Sequence, residues 1–96
     1  MANYSAVRRS KHATLTANTV DMVPFSTKPK TLEVRNLDAS AVIFFRSDGV
    51  PPTVGGDDTD RLGPGEKLEV DAANVDPPQV QLISSGSPAY SVRAIS

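Results

Sequence analysis

The chain has no cysteine and no tryptophan, a single histidine, and only 5% aromatic residues among its 96 residues. Without cysteine, disulfide bonds, thiolate metal sites and cysteine nucleophiles are excluded. With His12 as the one histidine, a site built from several histidines is excluded, and few groups remain for acid–base chemistry near neutral pH. We therefore expect a protein that is not an enzyme, with no catalytic residues, no cofactor, no metal and no small-molecule substrate.

Long apolar runs are also missing. No stretch approaches the ~18 apolar residues of a membrane span, and the opening Met-Ala-Asn-Tyr-Ser lacks the apolar run of a secretory signal. We expect no membrane partner and synthesis in a cytosol-like compartment. A chain of this length folds as one domain and buries about 60–65% of the surface that its unfolded form exposes, so its core is thin. Partner subunits are then a natural source of extra stability.

Charge is distributed unevenly, although the net charge is only −1. Residues 1–30 carry five basic side chains and one acidic one, whereas residues 31–96 carry ten acidic and five basic ones. The first twelve residues have no apolar period and contain Arg8, Arg9 and Lys11, which indicates a flexible, extended basic arm that either solubilises the chain or docks on a protein surface. Because the rest of the chain is acidic and poor in aromatic residues, nucleic acid is disfavoured as a partner.

Residues 13–96 consist of short β-type runs separated by turn residues about every ten positions, the pattern of an all-β fold. We predict a single antiparallel β-sandwich of seven or eight strands, Ig-like or jelly-roll-like, behind the arm. Residues 31–36 alternate most strictly, with Leu32 and Val34 facing inward. Further predicted strands lie at 13–25 (one bent strand or two), 41–45, 61–62 (a short edge strand), 67–71, 79–84 and 90–95, the last two as a terminal hairpin.

Two adjacent aromatic residues end the run 41–45, which is apolar on both faces. Because successive side chains of a strand point to opposite faces, one of Phe44 and Phe45 must leave the core side. We predict that this pair includes a contact to a second layer or a neighbouring subunit.

The segment after Arg46 is rich in turn formers and predicts a long exposed loop. Its acidic part offers carboxylates that Ca²⁺ would accept, but the twelve-residue spacing and the closing glutamate of an EF-hand are missing. We interpret residues 49–60 as a loop that is either displayed or packed between subunits, call it the displayed loop, and leave cation binding open. The marker residues of the segment are Asp48, Gly49, Gly55, Gly56, Asp57 and Asp58.

Several segments together resemble a family of small β-sandwich proteins encoded among the virion structural genes of tailed bacteriophages, especially those that infect actinobacteria. The most distinctive segment is 44–59, Phe-Phe-Arg-Ser-Asp-Gly-Val-Pro-Pro-Thr-Val-Gly-Gly-Asp-Asp-Thr. Weaker similarity lies in 15–21, 32–34, 80–86 and 90–92. The family often continues with a tyrosine and apolar residues, whereas this chain continues with Asp60, Arg61 and Leu62, which lowers the expectation of a fully buried strand there.

The resemblance implies a bacteriophage virion structural protein, made in the bacterial host cytoplasm and located on the virion. Together with the thin core and the arm, it favours a capsid decoration (cement) protein that binds the outer surface of the major capsid protein lattice as a homo-oligomer, a trimer or symmetric cluster. On this hypothesis Arg8, Arg9 and Lys11 dock on the capsid. The alternatives are a tail- or neck-associated virion protein and a small carbohydrate-binding module on a phage tail, which the scarcity of aromatic residues disfavours.

Overall fold

A computed structural model of the chain describes residues 10–25, 31–57, 59–71 and 79–94. These residues contain eight β-strands and no helix. The strands are β1 (Ser10–Thr14), β2 (Asp21–Pro24), β3 (Thr31–Asn36), β4 (Ile43–Arg46), β5 (Asp60–Leu62), β6 (Lys67–Asp71), β7 (Gln79–Ile83) and β8 (Ala89–Ala94).

The strands form two antiparallel four-stranded sheets, sheet A in the order β1-β8-β3-β6 and sheet B in the order β2-β7-β4-β5. Each strand of the first half pairs with its mirror position in the second half: β1 with β8, β2 with β7, β3 with β6 and β4 with β5. The chain is thus one long hairpin whose tip is the β4–β5 connection, and it rolls up through the additional pairs β3–β8 and β4–β7. This is a jelly roll. The predicted all-β sandwich is confirmed, and the topology selects the jelly roll over the Ig-like arrangement.

The core lies between the two sheets and consists of the apolar side of each strand. In β3, Leu32 and Val34 are fully buried, as their alternation predicts. The predicted short edge strand is confirmed as β5, in which Leu62 alone faces the core. The core cluster as a whole comprises Leu15, Val23, Phe25, Leu32, Val34, Ile43, Phe45, Leu62, Val80, Leu82, Tyr90 and Val92.

The predicted pairing of the last two strands as a hairpin is wrong. β7 lies in sheet B and β8 in sheet A, so the chain crosses between sheets at Ser84–Pro88. The crossing is held from outside the two strands: the Ser84 hydroxyl donates to the Val42 carbonyl at 2.6 Å, and the amide of Leu15 donates to the Pro88 carbonyl at 2.9 Å. A turn signal between two strands marks a reversal of the chain but does not decide which strands pair.

The predicted boundary between arm and domain at residues 12 and 13 is also wrong. Strand β1 begins at Ser10, and Lys11 and His12 pair with Val92 and Ser91 of β8. These polar residues form a strand because β1 lies at the edge of sheet A, where one side of the strand faces water. Arg8 and Arg9, the other predicted docking residues, lie outside the described residues.

The two phenylalanines point to opposite faces of sheet B. Phe45 is fully buried in the core, whereas Phe44 lies on the outer face, is half-buried, and sits opposite Ile83 and Arg61 on the neighbouring strands. Of the predicted pair, Phe44 is therefore the ring that is available to a neighbour.

This difference predicts unequal effects of truncation. Phe45→Ala should lower the free energy of unfolding by about 3–5 kcal/mol, because it opens a cavity in a closed core. Phe44→Ala should cost less than about 2 kcal/mol, because its ring is partly solvated in the single chain. Urea denaturation of both variants measures the difference, and equal losses would contradict the assignment of the two faces.

Candidate protein-binding face

The outer faces of the two sheets differ in charge. On sheet A the carboxylate of Glu33 is only 7% exposed and lies 3.6–3.9 Å from three cationic groups, those of Arg35, Lys67 and Arg93. Glu69 is the direct neighbour of Glu33 on β6. The charges of this face are thus largely compensated within it, and long polar side chains cover the sheet.

The outer face of sheet B is much less charged. We call it the sheet-B face; its strand positions are Met22, Pro24, Phe44, Arg46, Arg61, Gln79, Gln81 and Ile83. It contains no carboxylate, and its two cations lie toward the β4–β5 side. Met22 is 49% exposed, whereas Ile83 and Gln81 beside it are buried. An uncharged centre with a methionine, an aromatic ring and arginines at its margin is the composition of protein–protein interfaces.

The displayed loop starts at one end of this face. Gly49 lies close to the Gln79 side chain there: a Cβ atom at position 49 would be 3.9 Å from Gln79 Nε2. Asp48 organises the start of the loop: its carboxylate accepts two hydrogen bonds from the Arg46 guanidinium, at 3.1 and 2.5 Å, and one from the Val50 amide at 3.1 Å.

The far part of the loop is a hydrogen-bonded turn. Gly55 has a φ of +71°, which glycine adopts without strain. The Gly56 amide donates to the Thr53 carbonyl at 3.0 Å, and the Thr59 hydroxyl donates to the Gly56 carbonyl at 2.6 Å. Of the residues named for the displayed loop, Asp48, Gly49, Gly55 and Asp57 are exposed, Gly56 is half-buried, and Asp58 lies outside the described residues.

This ordered loop exposes apolar side chains. Val50 and Val54 are 45% and 43% exposed, although valine is a residue type that folding usually buries. Both lie in the predicted exposed loop, whose marker residues are its acidic residues and glycines and not its valines. An apolar surface on a fixed backbone loses little conformational entropy when a partner covers it.

Lys11, one of the three predicted docking residues, has a partner within the domain. Its ammonium lies 3.7 Å from a carboxylate oxygen of Asp21, and the buried Tyr90 hydroxyl donates a hydrogen bond to the same carboxylate. Because Lys11 and Tyr90 belong to sheet A and Asp21 to sheet B, the cluster ties the two sheets together at this edge.

A surface cleft of about 250 Å³ lies beside this cluster and is lined by Thr14, Thr16, Thr19, Val20 and Asp21. It presents hydroxyls and no aromatic ring, so it offers no stacking platform for a sugar. Among the described residues, no three histidine, aspartate or glutamate side chains are grouped so as to hold a metal ion. No helix long and apolar enough to cross a membrane occurs in this part of the chain.

No protein-family model and no curated protein sequence matches the chain. Several solved structures resemble it, among them the following two. A de novo designed double-stranded β-helix aligns over 92% of this chain and 100% of its own, with a TM-score of 0.61 and 19% identity. The Drosophila melanogaster CENP-C cupin domain aligns over 91% of this chain but 60% of its own, with a TM-score of 0.50 and 11% identity. These likenesses concern the fold and agree with the jelly roll, which enzymes and non-enzymatic proteins both use.

The Arg46–Asp48 pair predicts an acid-sensitive contribution to stability. The Arg46 hydrogen bond, joined by that from the Val50 amide, lowers the pKa of Asp48 from 3.8 to about 2. The ionised carboxylate therefore contributes stability above pH 3.8, and this contribution is lost as the pH falls toward 2. It is small, because the Asp48 side chain is 53% exposed and solvent screens the pair.

Asp48→Asn should consequently be less stable than the parent near neutral pH, and the difference should shrink as the pH falls below about 4. Arg46→Gln should behave in the same way, because it removes the donor. Urea denaturation at a series of pH values measures both, and a difference that stays constant down to the acid limit would contradict this role.

Proposed function

We propose that this protein is a non-enzymatic structural component of a bacteriophage virion, a capsid decoration protein that binds the outer surface of the major capsid protein lattice. The contact is made by the sheet-B face and the displayed loop beside it. Virion location comes from the resemblance of residues 44–59 to phage structural proteins. The protein-binding role is supported by the uncharged, partly exposed surface around Met22 and Phe44.

A single observation carries the proposal: the apolar residues of segment 44–59 are divided between the core and the surface. Phe45 belongs to the core, whereas Phe44, Val50 and Val54 place apolar groups on the surface of β4 and the loop that follows it. These groups lie on one strand and on the loop that follows it, and an interface on this side of sheet B would cover them together. A capsid lattice offers many equivalent copies of a complementary surface.

The described residues also favour a non-catalytic role. The side chains between the sheets are almost all hydrocarbon, and the polar ones there are engaged: Asn36 donates to the carbonyls of Ala41 and Leu62 at 2.8 and 3.1 Å, and Tyr90 donates to Asp21. His12 is exposed on the outer face of sheet A, and no second histidine exists in the chain. A general acid, a general base and a nucleophile are thus not brought together.

The location can be measured on particles. Antibody raised against the full chain, with gold label, should mark the whole head of particles produced by the strain that encodes the protein, and the chain should approach the abundance of the major capsid protein. Label confined to the neck or tail would support the tail-associated alternative instead. Absence of the chain from purified particles would refute the virion proposal.

The contact face can be tested with matched variants. Met22→Glu should weaken binding to capsids that lack the protein by at least about tenfold, because a carboxylate would be buried in an uncharged interface. The control His12→Glu places the same group on the outer face of sheet A and should bind as the parent does. Co-sedimentation measures binding, and circular dichroism verifies the fold; equal binding by both variants would overturn the assignment of the face.

A further inference from the structure

Strand β6 is the edge of sheet A opposite to β1. Within residues 10–25, 31–57, 59–71 and 79–94, β6 pairs with β3 only. The Asn36 amide donates to the Glu66 carbonyl at 2.9 Å, which makes Asn36 and Glu66 a hydrogen-bonded position of the antiparallel ladder. Because such positions alternate, Leu68 and Val70 direct their backbone groups to β3, whereas Lys67 and Glu69 direct theirs outward.

Two side-chain features of β6 point to what covers this edge. Leu68 is 40% exposed although it lies on the inner side of its strand, opposite the fully buried Val34. The strand and the turn before it are acidic, with Glu66, Glu69 and Asp71 against Lys67, and Lys67 already lies 3.9 Å from Glu33. A complementary strand would be basic and would carry apolar side chains to cover Leu68.

The N-terminal segment of the same chain has these properties. Residues 1–9, Met-Ala-Asn-Tyr-Ser-Ala-Val-Arg-Arg, contain two arginines, no acidic residue and the apolar or aromatic side chains of Val7 and Tyr4. We propose that residues 1–9 of a second copy of this protein add as a fifth strand to the β6 edge of sheet A, with Arg8 and Arg9 beside Glu69 and the acidic end of β6.

Geometry favours a second copy over the same chain. The segment leads into β1, which is at the opposite edge of sheet A from β6. To reach the far side of β6, it must cross four strand spacings of about 4.8 Å, which uses about six residues of extended chain at about 3.3 Å per residue. The crossing residues would include Arg8 and Arg9, which could then not lie beside Glu69, whereas a neighbour's segment can pair along the whole edge.

This exchange is heterologous, because each copy gives its N-terminal segment to one neighbour and accepts a segment from another. Such contacts close into rings or extend as filaments. A ring deepens the proposed function, since it would supply the trimer or symmetric cluster expected of a decoration protein, and it assigns Arg8 and Arg9 to self-association. This self-association does not require a capsid, so its test is independent of where the protein is located.

Sedimentation equilibrium on the full chain tests the proposal. The parent should form a closed oligomer, and Glu69→Lys should weaken association at least about tenfold, as should Arg8→Glu combined with Arg9→Glu. Combining the three reversals should restore association, because opposite charges then face each other again. Asp57→Lys, which makes the same charge change in the displayed loop, is the matched control and should associate as the parent does.

A backbone variant tests strand addition itself. Glu69→Pro removes an amide that faces the open edge and leaves the β3 ladder intact, since proline is tolerated where the amide of an edge strand points outward. It should associate at least about tenfold more weakly than Glu69→Ala, with both folds verified by circular dichroism. A monomeric parent, no rescue by the combined reversals, or equal association of the proline and alanine variants would overturn the proposal, and none of these results bears on whether the chain is found on virions.

Discussion

Apolar contact between the inner faces of two four-stranded sheets is the interaction on which the rest of this structure depends. Each strand buries mainly one side, so every strand needs the opposite sheet to cover it, and a chain without cysteine has no disulfide to hold the layers together. The rolled hairpin meets this need by sending consecutive segments to alternate sheets for most of the chain. The few polar groups between the sheets, Asn36 and the Tyr90–Asp21 pair, are hydrogen-bonded, so they join the layers without leaving a buried group unsatisfied.

The same arrangement leaves two outer faces with different chemistry. On sheet A, Glu33 lies within a ring of cations and the charges compensate one another, which keeps that face hydrated and of little attraction to an apolar partner. On sheet B, Met22 and Phe44 remain partly exposed, and the hairpin tip beside them exposes Val50 and Val54. The two proposals use different parts of this surface: the sheet-B face and the loop beside it would contact the capsid, and the β6 edge of sheet A would pair through its backbone with a second copy.

Charge near the N-terminus illustrates how position changes the role of a residue. Lys11 belongs to a cluster of basic residues in the sequence, and the cluster suggested a single docking surface. In the fold, Lys11 lies in β1 and its ammonium is 3.7 Å from a carboxylate oxygen of Asp21 on the other sheet. A basic residue of the cluster thus belongs to a strand of the domain, which its charge alone did not indicate.

The sequence by itself determined the strands, the thin core and the exposed loop, because alternation in segments such as 31–36 and turn residues such as those of 47–56 act over a few neighbouring positions. It also indicated that one of Phe44 and Phe45 must leave the core, since the period of a strand is two. Which ring does so, which strands pair, and where Met22, Leu68 and Glu69 lie were decided only by the tertiary structure. Those properties depend on contacts between segments far apart in the chain, such as β1 with β8 and β3 with β6, and no local pattern of residues specifies such long-range pairing.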